Sequence, residues 1–166
     1  MGLRPGIWIV LTSLLWTAAC TSPGSDEPDG PRFVVLGAAV TRDARTGLEW
    51  TRHDDGVGLD WYAADEYCRS LSIDAVGGWR LPAIEELRRL YGAATKIACG
   101  DAMCAIDPVF TLTSPYVWSA TAQAGPNART YLDFQYGTEL APSLTPRLVR
   151  HVLCMRTSSN PEPGTS

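Results

Sequence analysis

A basic excess is missing from this chain. Fourteen lysines and arginines stand against 18 aspartates and glutamates, for a net charge of −4. Nucleic-acid binding needs a basic face, so the balance argues against that partner. Charge of either sign is scarce, at 19% of residues against about 25% in an ordinary soluble domain. Histidine is scarcer still: His53 and His151 are the two present, far apart and in no metal-ligand spacing. No Cys-x-x-Cys knuckle, Ser-His-Asp set, phosphate loop or paired glycosidase carboxylates stand out. No apolar run reaches the about 20 residues that a spanning helix needs. The apolar fraction of 45% is nevertheless enough for a core, and 166 residues is a one-domain length.

What is present begins with an export signal. Arg4 precedes an apolar run of ten residues, Ile7 to Trp16, that closes on Thr17-Ala18-Ala19-Cys20. Small residues before a cysteine resemble a bacterial lipobox, whose cysteine carries lipid after cleavage. Residues 1–19 are therefore expected to be a lipoprotein signal peptide, and Cys20 the lipidation site and the link to a membrane. Thr21 to Pro31 holds no large apolar residue and reads as a disordered tether of at most about 35–40 Å. Thr21, in place of aspartate, points to the outer membrane. The polar, proline-rich stretch 157–166 reads as a disordered tail. The folded part is then 32–156, with a net charge of −1. Long-range electrostatic steering is not its device.

Four cysteines remain after Cys20, and an even number in an exported domain implies two disulfides. Three pairings are possible. Cys99 and Cys104 enclose only Gly-Asp-Ala-Met and can meet easily, which leaves Cys68 with Cys154. A four-thiolate zinc site competes, without the usual spacing.

Hydrophobic periodicity predicts an α+β domain. Phe33 to Thr51 reads as a hairpin with its turn at Arg42–Gly47. Asp60 suits an N-cap, and Trp61, Ala64, Tyr67, Cys68 and Leu71 mark a helix over about 61–70. Pro82 suits the first turn of a second helix, with Ile84, Leu87, Leu90 and Tyr91 inward. Strands are expected at 117–120, 130–134 and 148–155, with terminal strands meeting in one antiparallel sheet. Trp50, Trp61, Trp79 and Trp118 read as core.

Tyr67-Cys68-x-x-Leu71, Gly78-Trp79-Arg80-Leu81-Pro82 and Glu86-Leu87-x-x-Leu90 form an ordered pattern with Thr46-Gly47-Leu48-x-Trp50, Trp118-Ser119 and Cys154-Met155-Arg156. This pattern resembles the Lcl C-terminal domain family, named after a collagen-like bacterial adhesin. The Arg-Leu-Pro-x-x-x-Glu part is also similar to the formylglycine-generating enzyme superfamily. Both resemblances imply a single C-type-lectin-like domain with two helices packed on antiparallel sheet. They also imply a disulfide from the first helix to the last strand, in agreement with Cys68–Cys154. Relatives commonly carry threonine after the proline, completing a capping box, and here the position is Ala83. Trp79, Arg80, Leu81, Pro82 and Glu86 are accordingly read as a structural motif. Glu86 reaches back to a free N–H, and Arg80 meets a carboxylate or carbonyls beneath the helix, so that losing it costs about 3 kcal/mol.

Neither catalysis nor a cofactor is expected. Two histidines cannot supply the cluster of an iron-dependent sulfoxide synthase. A formylglycine-generating activity needs a reactive thiol pair, for which Cys99 and Cys104 read better as a structural clip. Calcium ligation of the lectin kind would fall on Gly125-Pro126-Asn127 and Tyr131-Leu132-Asp133, where Gly125 and Leu132 bring no side-chain oxygen. Tyr116, Tyr131 and Tyr136 are candidates for a ligand groove between loops 122–128 and 137–146. Arg147, Arg150 and His151 form a small basic group beside it that suits a sulfated glycan. The expected function is non-catalytic binding of a glycan or an envelope protein at the cell surface. An enzyme or modifying factor of the formylglycine-generating type and a structural envelope component are the alternatives.

Overall fold

The computed structural model describes residues 1–2, 30–123, 127–145 and 148–158. Cys20 and nearly all of the leader and tether lie outside these residues, as do Arg147 and most of the tail. The described chain is α+β, with two helices, antiparallel sheets and two disulfides. Among the described residues no helix is long and apolar enough to cross a membrane.

Three strands open the domain: β1 (Phe33–Val35), β2 (Val40–Asp43) and β3 (Leu48–Thr51). The expected hairpin is thus a three-stranded meander. Arg42 and Asp43 belong to β2, and the turn is shorter than expected. Gly47 closes it at φ +69°, a left-handed conformation that costs glycine nothing, and its N–H bonds Asp43 O at 2.8 Å. Strand β9 (Met155–Thr157) adds antiparallel to β3, in register Leu48 opposite Thr157. The ends of the fold do meet in one sheet, of order β1-β2-β3-β9. β9 runs one residue past the expected boundary at 156.

Helix α1 (Trp61–Ser70) matches its expected span, and the Asp60 side chain caps it by accepting Ala63 N–H at 3.0 Å. Ala64 and Cys68 are its buried residues, while Tyr67 is exposed and Trp61 only half-buried. Helix α2 (Ile84–Leu90) starts two residues later than Pro82 suggests, because Ala83 is the N-cap and Pro82 precedes it. Ile84, Leu87 and Leu90 face the core.

The second half differs more. β4 (Ile97–Cys99) and β5 (Ala102–Cys104) form a hairpin clipped by Cys99–Cys104. β6 (Tyr116–Ala122), β7 (Arg129–Asp133) and β8 (Thr138–Leu140) form a third sheet, so part of the expected loop 137–146 is strand. Among the described residues there are three antiparallel sheets, the first of which holds the terminal strands. The stretch 148–154 is not strand, despite its alternating pattern. It is held by isolated bridges, with Trp118 N–H to His151 O and His151 N–H to Tyr116 O both at 3.0 Å.

The alternation has another cause. Leu153 and Met155 enter one core with Trp50, Leu87, Phe110 and Phe134. Val152 and Cys154 enter a second with Cys68, Trp79, Leu81 and Trp118. The segment threads between two cores and shows a period of two without a continuous ladder. Strand β6 is divided the same way, Val117 to the first core and Trp118 to the second. Cys68–Cys154 spans the second core with a Cα–Cα distance of 5.5 Å.

Candidate functional site

The Trp-Arg-Leu-Pro segment is a joint between sheets. Gly78, at φ +80°, turns the chain inward. Trp79 follows, buried, with Nε1 donating to Val76 O at 3.1 Å and the Arg156 guanidinium 4.9 Å over its ring. The backbone of Arg80 exchanges hydrogen bonds with Met155, at 2.9 and 3.0 Å, and Pro82 O accepts Ala120 N–H at 2.7 Å. Side chains finish the joint. Arg80 makes a bidentate pair with Glu86, at 2.8 and 2.7 Å, and also donates to Leu81 O. Glu86 in turn accepts Ala83 N–H at 2.7 Å. Hydrogen bonds from Arg80 hold the Glu86 carboxyl below its ordinary range, against the opposing effect of burial. Ala83 offers no cap oxygen, and Thr121 on β6 substitutes by accepting Ile84 N–H at 3.0 Å.

Arg80 thus meets a carboxylate and a carbonyl, but it is not buried. Its side chain is 47% exposed. Solvent screens such a pair, so the expected loss of about 3 kcal/mol must come down. Arg80→Ala is expected to lower stability by about 1 kcal/mol in urea denaturation. A loss of about 3 kcal/mol would mean that its guanidinium serves acceptors beyond Glu86 and Leu81.

Of Tyr116, Tyr131, Tyr136, Arg147, Arg150 and His151, expected around a groove, the structure brings Tyr116, Tyr131 and Arg150 together and joins the His151 backbone to Tyr116. Tyr116 and Tyr131 pack edge to face at 5.7 Å, and the Arg150 guanidinium lies 5.0 and 4.6 Å from their ring centres. These three side chains are thus spent on one another. Tyr136 is 69% exposed on the turn between β7 and β8. Arg147 lies outside the described residues.

His151 faces a different group. Its Nδ1 is 3.4 Å from Asp54 Oδ2, 3.3 Å from Asp55 Oδ1 and 3.1 Å from Thr113 Oγ1. Both carboxylates are almost wholly buried, and backbone donors hold them. Gly56 and Thr113 N–H bond Asp54, and Gly58 and Val152 N–H bond Asp55. The Thr113 hydroxyl donates to Asp54, at 2.9 and 3.0 Å. This set superficially suits nucleophilic chemistry, but the hydroxyl is engaged by Asp54 and both carboxylates are held by backbone donors. Its visible effect is to pin loop 54–58 to the segment that follows Arg150. Among the described residues no group of three or more His, Cys, Asp or Glu side chains is arranged to hold a metal ion.

A cleft of about 410 Å³ opens beside that loop, where α1 begins. Asp60, Trp61, Tyr62, Asn127, Leu144, Thr145 and Leu148 line it. Tyr62 is 62% exposed and stands edge to face with Trp61 at 5.3 Å. Trp61 is fixed from behind: Nε1 donates to Ser119 O at 2.8 Å, and the Arg129 guanidinium sits 4.4 Å over the ring. Apolar walls with a few convergent polar groups are the usual make-up of a small-ligand site. Sequence reasoning used Asp60 as a cap and Trp61 as core; it named the loops that hold Asn127, Leu144 and Thr145 as groove walls, and it did not bring Tyr62 to them. The available signal was Tyr62 itself, an aromatic one position after an inward-facing tryptophan and hence off the buried face.

The Lcl C-terminal domain family matches residues 39–156. No curated protein and no solved structure matches the chain.

Proposed function

The chain belongs to the Lcl C-terminal domain family, and from that premise we propose an exported lipoprotein whose one folded domain binds a glycan at the cell surface without catalysis. One observation carries this reading. In the cleft at the start of α1, an exposed aromatic ring converges with an apolar wall and several polar side chains. The His151, Asp54 and Asp55 cluster and the Arg80–Glu86 pair, by contrast, are engaged in holding the fold. A concave seat of this size suits one or two sugar units better than a flat protein partner, which would need about 800 Å² per side. Anchoring through lipid on Cys20, with residues 21–31 as a tether, would hold the domain at the outer membrane. The C-type-lectin-like reading is supported by the disulfide from α1 to the segment before β9.

Against a formylglycine-generating activity stands the burial of Cys99 and Cys104, whose thiols would have to reach substrate. Two experiments test the proposal. Labelled palmitate is expected to enter the wild type and not Cys20→Ala. Equal labelling would remove the anchor. A glycan array probed with the folded chain is expected to give hits that Tyr62→Ala loses. A blank array together with specific capture of an envelope protein would replace the glycan by that protein.

A further inference from the structure

We propose that the cleft at the start of α1 takes an uncharged hexose unit bearing an acetamido group, with the aliphatic face of its ring laid on Tyr62. The inference rests on the glycan-binding reading above and specifies its ligand. Tyr62 presents most of its ring to solvent, yet Trp61 holds it edge to face. Trp61 is itself fixed by Ser119 and Arg129. The platform is therefore ordered before a ligand arrives, and little freedom is lost on binding. The negative face of an aromatic ring suits the weakly positive C–H groups on one side of a pyranose.

The polar groups are held and still vacant. Asp60 Oδ1 accepts Ala63 N–H at 3.0 Å, which orients the carboxylate and leaves Oδ2 open to a sugar hydroxyl. The backbone at Asn127 and Thr145 is tied down, since Asn127 O accepts Leu144 N–H at 2.7 Å and Thr145 O accepts Leu148 N–H at 3.0 Å. Their side chains have no hydrogen-bond partner among the described residues. Asn127 offers a donor and an acceptor together, the complement of a secondary amide. Leu144 and Leu148 supply the apolar wall that an acetyl methyl group would cover.

Charge excludes the alternative. Asp60 is the ionised side chain that lines the cleft among the described residues, and it would repel a sulfate or carboxylate. Arg150 and His151, which from sequence suit a sulfated glycan, are engaged by tyrosines and aspartates. Arg147 falls between Thr145 and Leu148 in sequence and enters the test as a variant.

The test is ligand-observed NMR titration of the otherwise complete chain carrying Cys20→Ser. The probes are methyl N-acetylglucosaminide, methyl glucoside, the 6-sulfated N-acetyl sugar and the free amino sugar. The N-acetyl probe is expected to bind with a Kd of about 1 mM, as its small size allows. Methyl glucoside should bind about tenfold and the sulfated sugar about tenfold more weakly than it. Tyr62→Ala should weaken the N-acetyl probe about tenfold with an unchanged melting temperature, and Arg147→Ala should change it by less than about twofold. Tighter binding of the sulfated or the amino sugar would overturn the ligand class and leave glycan binding intact. Undiminished binding by Tyr62→Ala would overturn the site. If no probe binds while the array gives hits, the ligand class proposed here fails. If the array is blank as well, the glycan-binding reading fails with it.

Discussion

Removing the disulfide of the second core, by Cys68→Ala together with Cys154→Ala, is expected to cost about 4–5 kcal/mol in chemical denaturation. The bridge joins residues 86 apart in sequence, against 5 for Cys99–Cys104. Loop-closure entropy grows with the logarithm of the closed length, so the short clip is expected to be worth about 2 kcal/mol. Among the described residues the long bridge is also the one disulfide from α1 to the segment that threads between the two cores. Both of its cysteines are fully buried, so alanine leaves a small void as well. Double variants of each pair avoid stray pairing of a left-over thiol. Equal losses for the two pairs would contradict the ranking by loop length.

The second large effect lies at Glu49, in the centre of the first sheet and 3% exposed. Burial alone would push its carboxyl up. Hydrogen bonds from Arg156 at 2.8 Å and Arg42 at 3.1 Å outweigh burial, and the group ends below its ordinary range. A carboxylate depressed by folding stabilises the protein above its unfolded pKa, about 4.3. That stability disappears as pH falls through the lowered folded value. Glu86 shifts in the same direction and adds to the loss. The urea midpoint is therefore expected to fall steeply below about pH 4.3. Glu49→Gln is expected to cost about 3 kcal/mol at pH 7, because Arg156 and Arg42 then face a neutral amide. It should also make the acid limb shallower. An acid limb of unchanged slope in Glu49→Gln would place the proton uptake elsewhere.

Local signals were legible wherever a local contact decides the structure. Asp60 caps α1 through a bond three residues on, so both the cap and the span could be read from the pattern. At α2 the same logic missed by two residues, because Pro82 holds the approach to the helix and not its first turn. The alternation of 148–155 was legible as a pattern but not in meaning, since a period of two also arises between two cores. Tyr116, Tyr131 and Arg150 were placed together from sequence, and their rings and charge do meet one another. The partners of His151 could not be read at all, because Asp54 and Asp55 are nearly a hundred residues away and only the tertiary fold joins them. The cleft was legible only in part: loops 122–128 and 137–146 were expected to wall a groove, but only the tertiary fold brings the start of α1 to them.

The pairing of β3 with β9 also bears on how the domain can be made. β3 forms its outer ladder with residues 155–157, more than a hundred positions later in the chain. Until those residues emerge, Glu49 has no Arg156 and Arg80 has no backbone partner at Met155. The first half of the domain is therefore an incomplete folding unit, and closure awaits its last strand. Such high contact order slows folding. Were the chain exported as proposed, this delay would be useful: the polypeptide would stay threadable while it crossed the membrane, and the sheet would lock only on the far side.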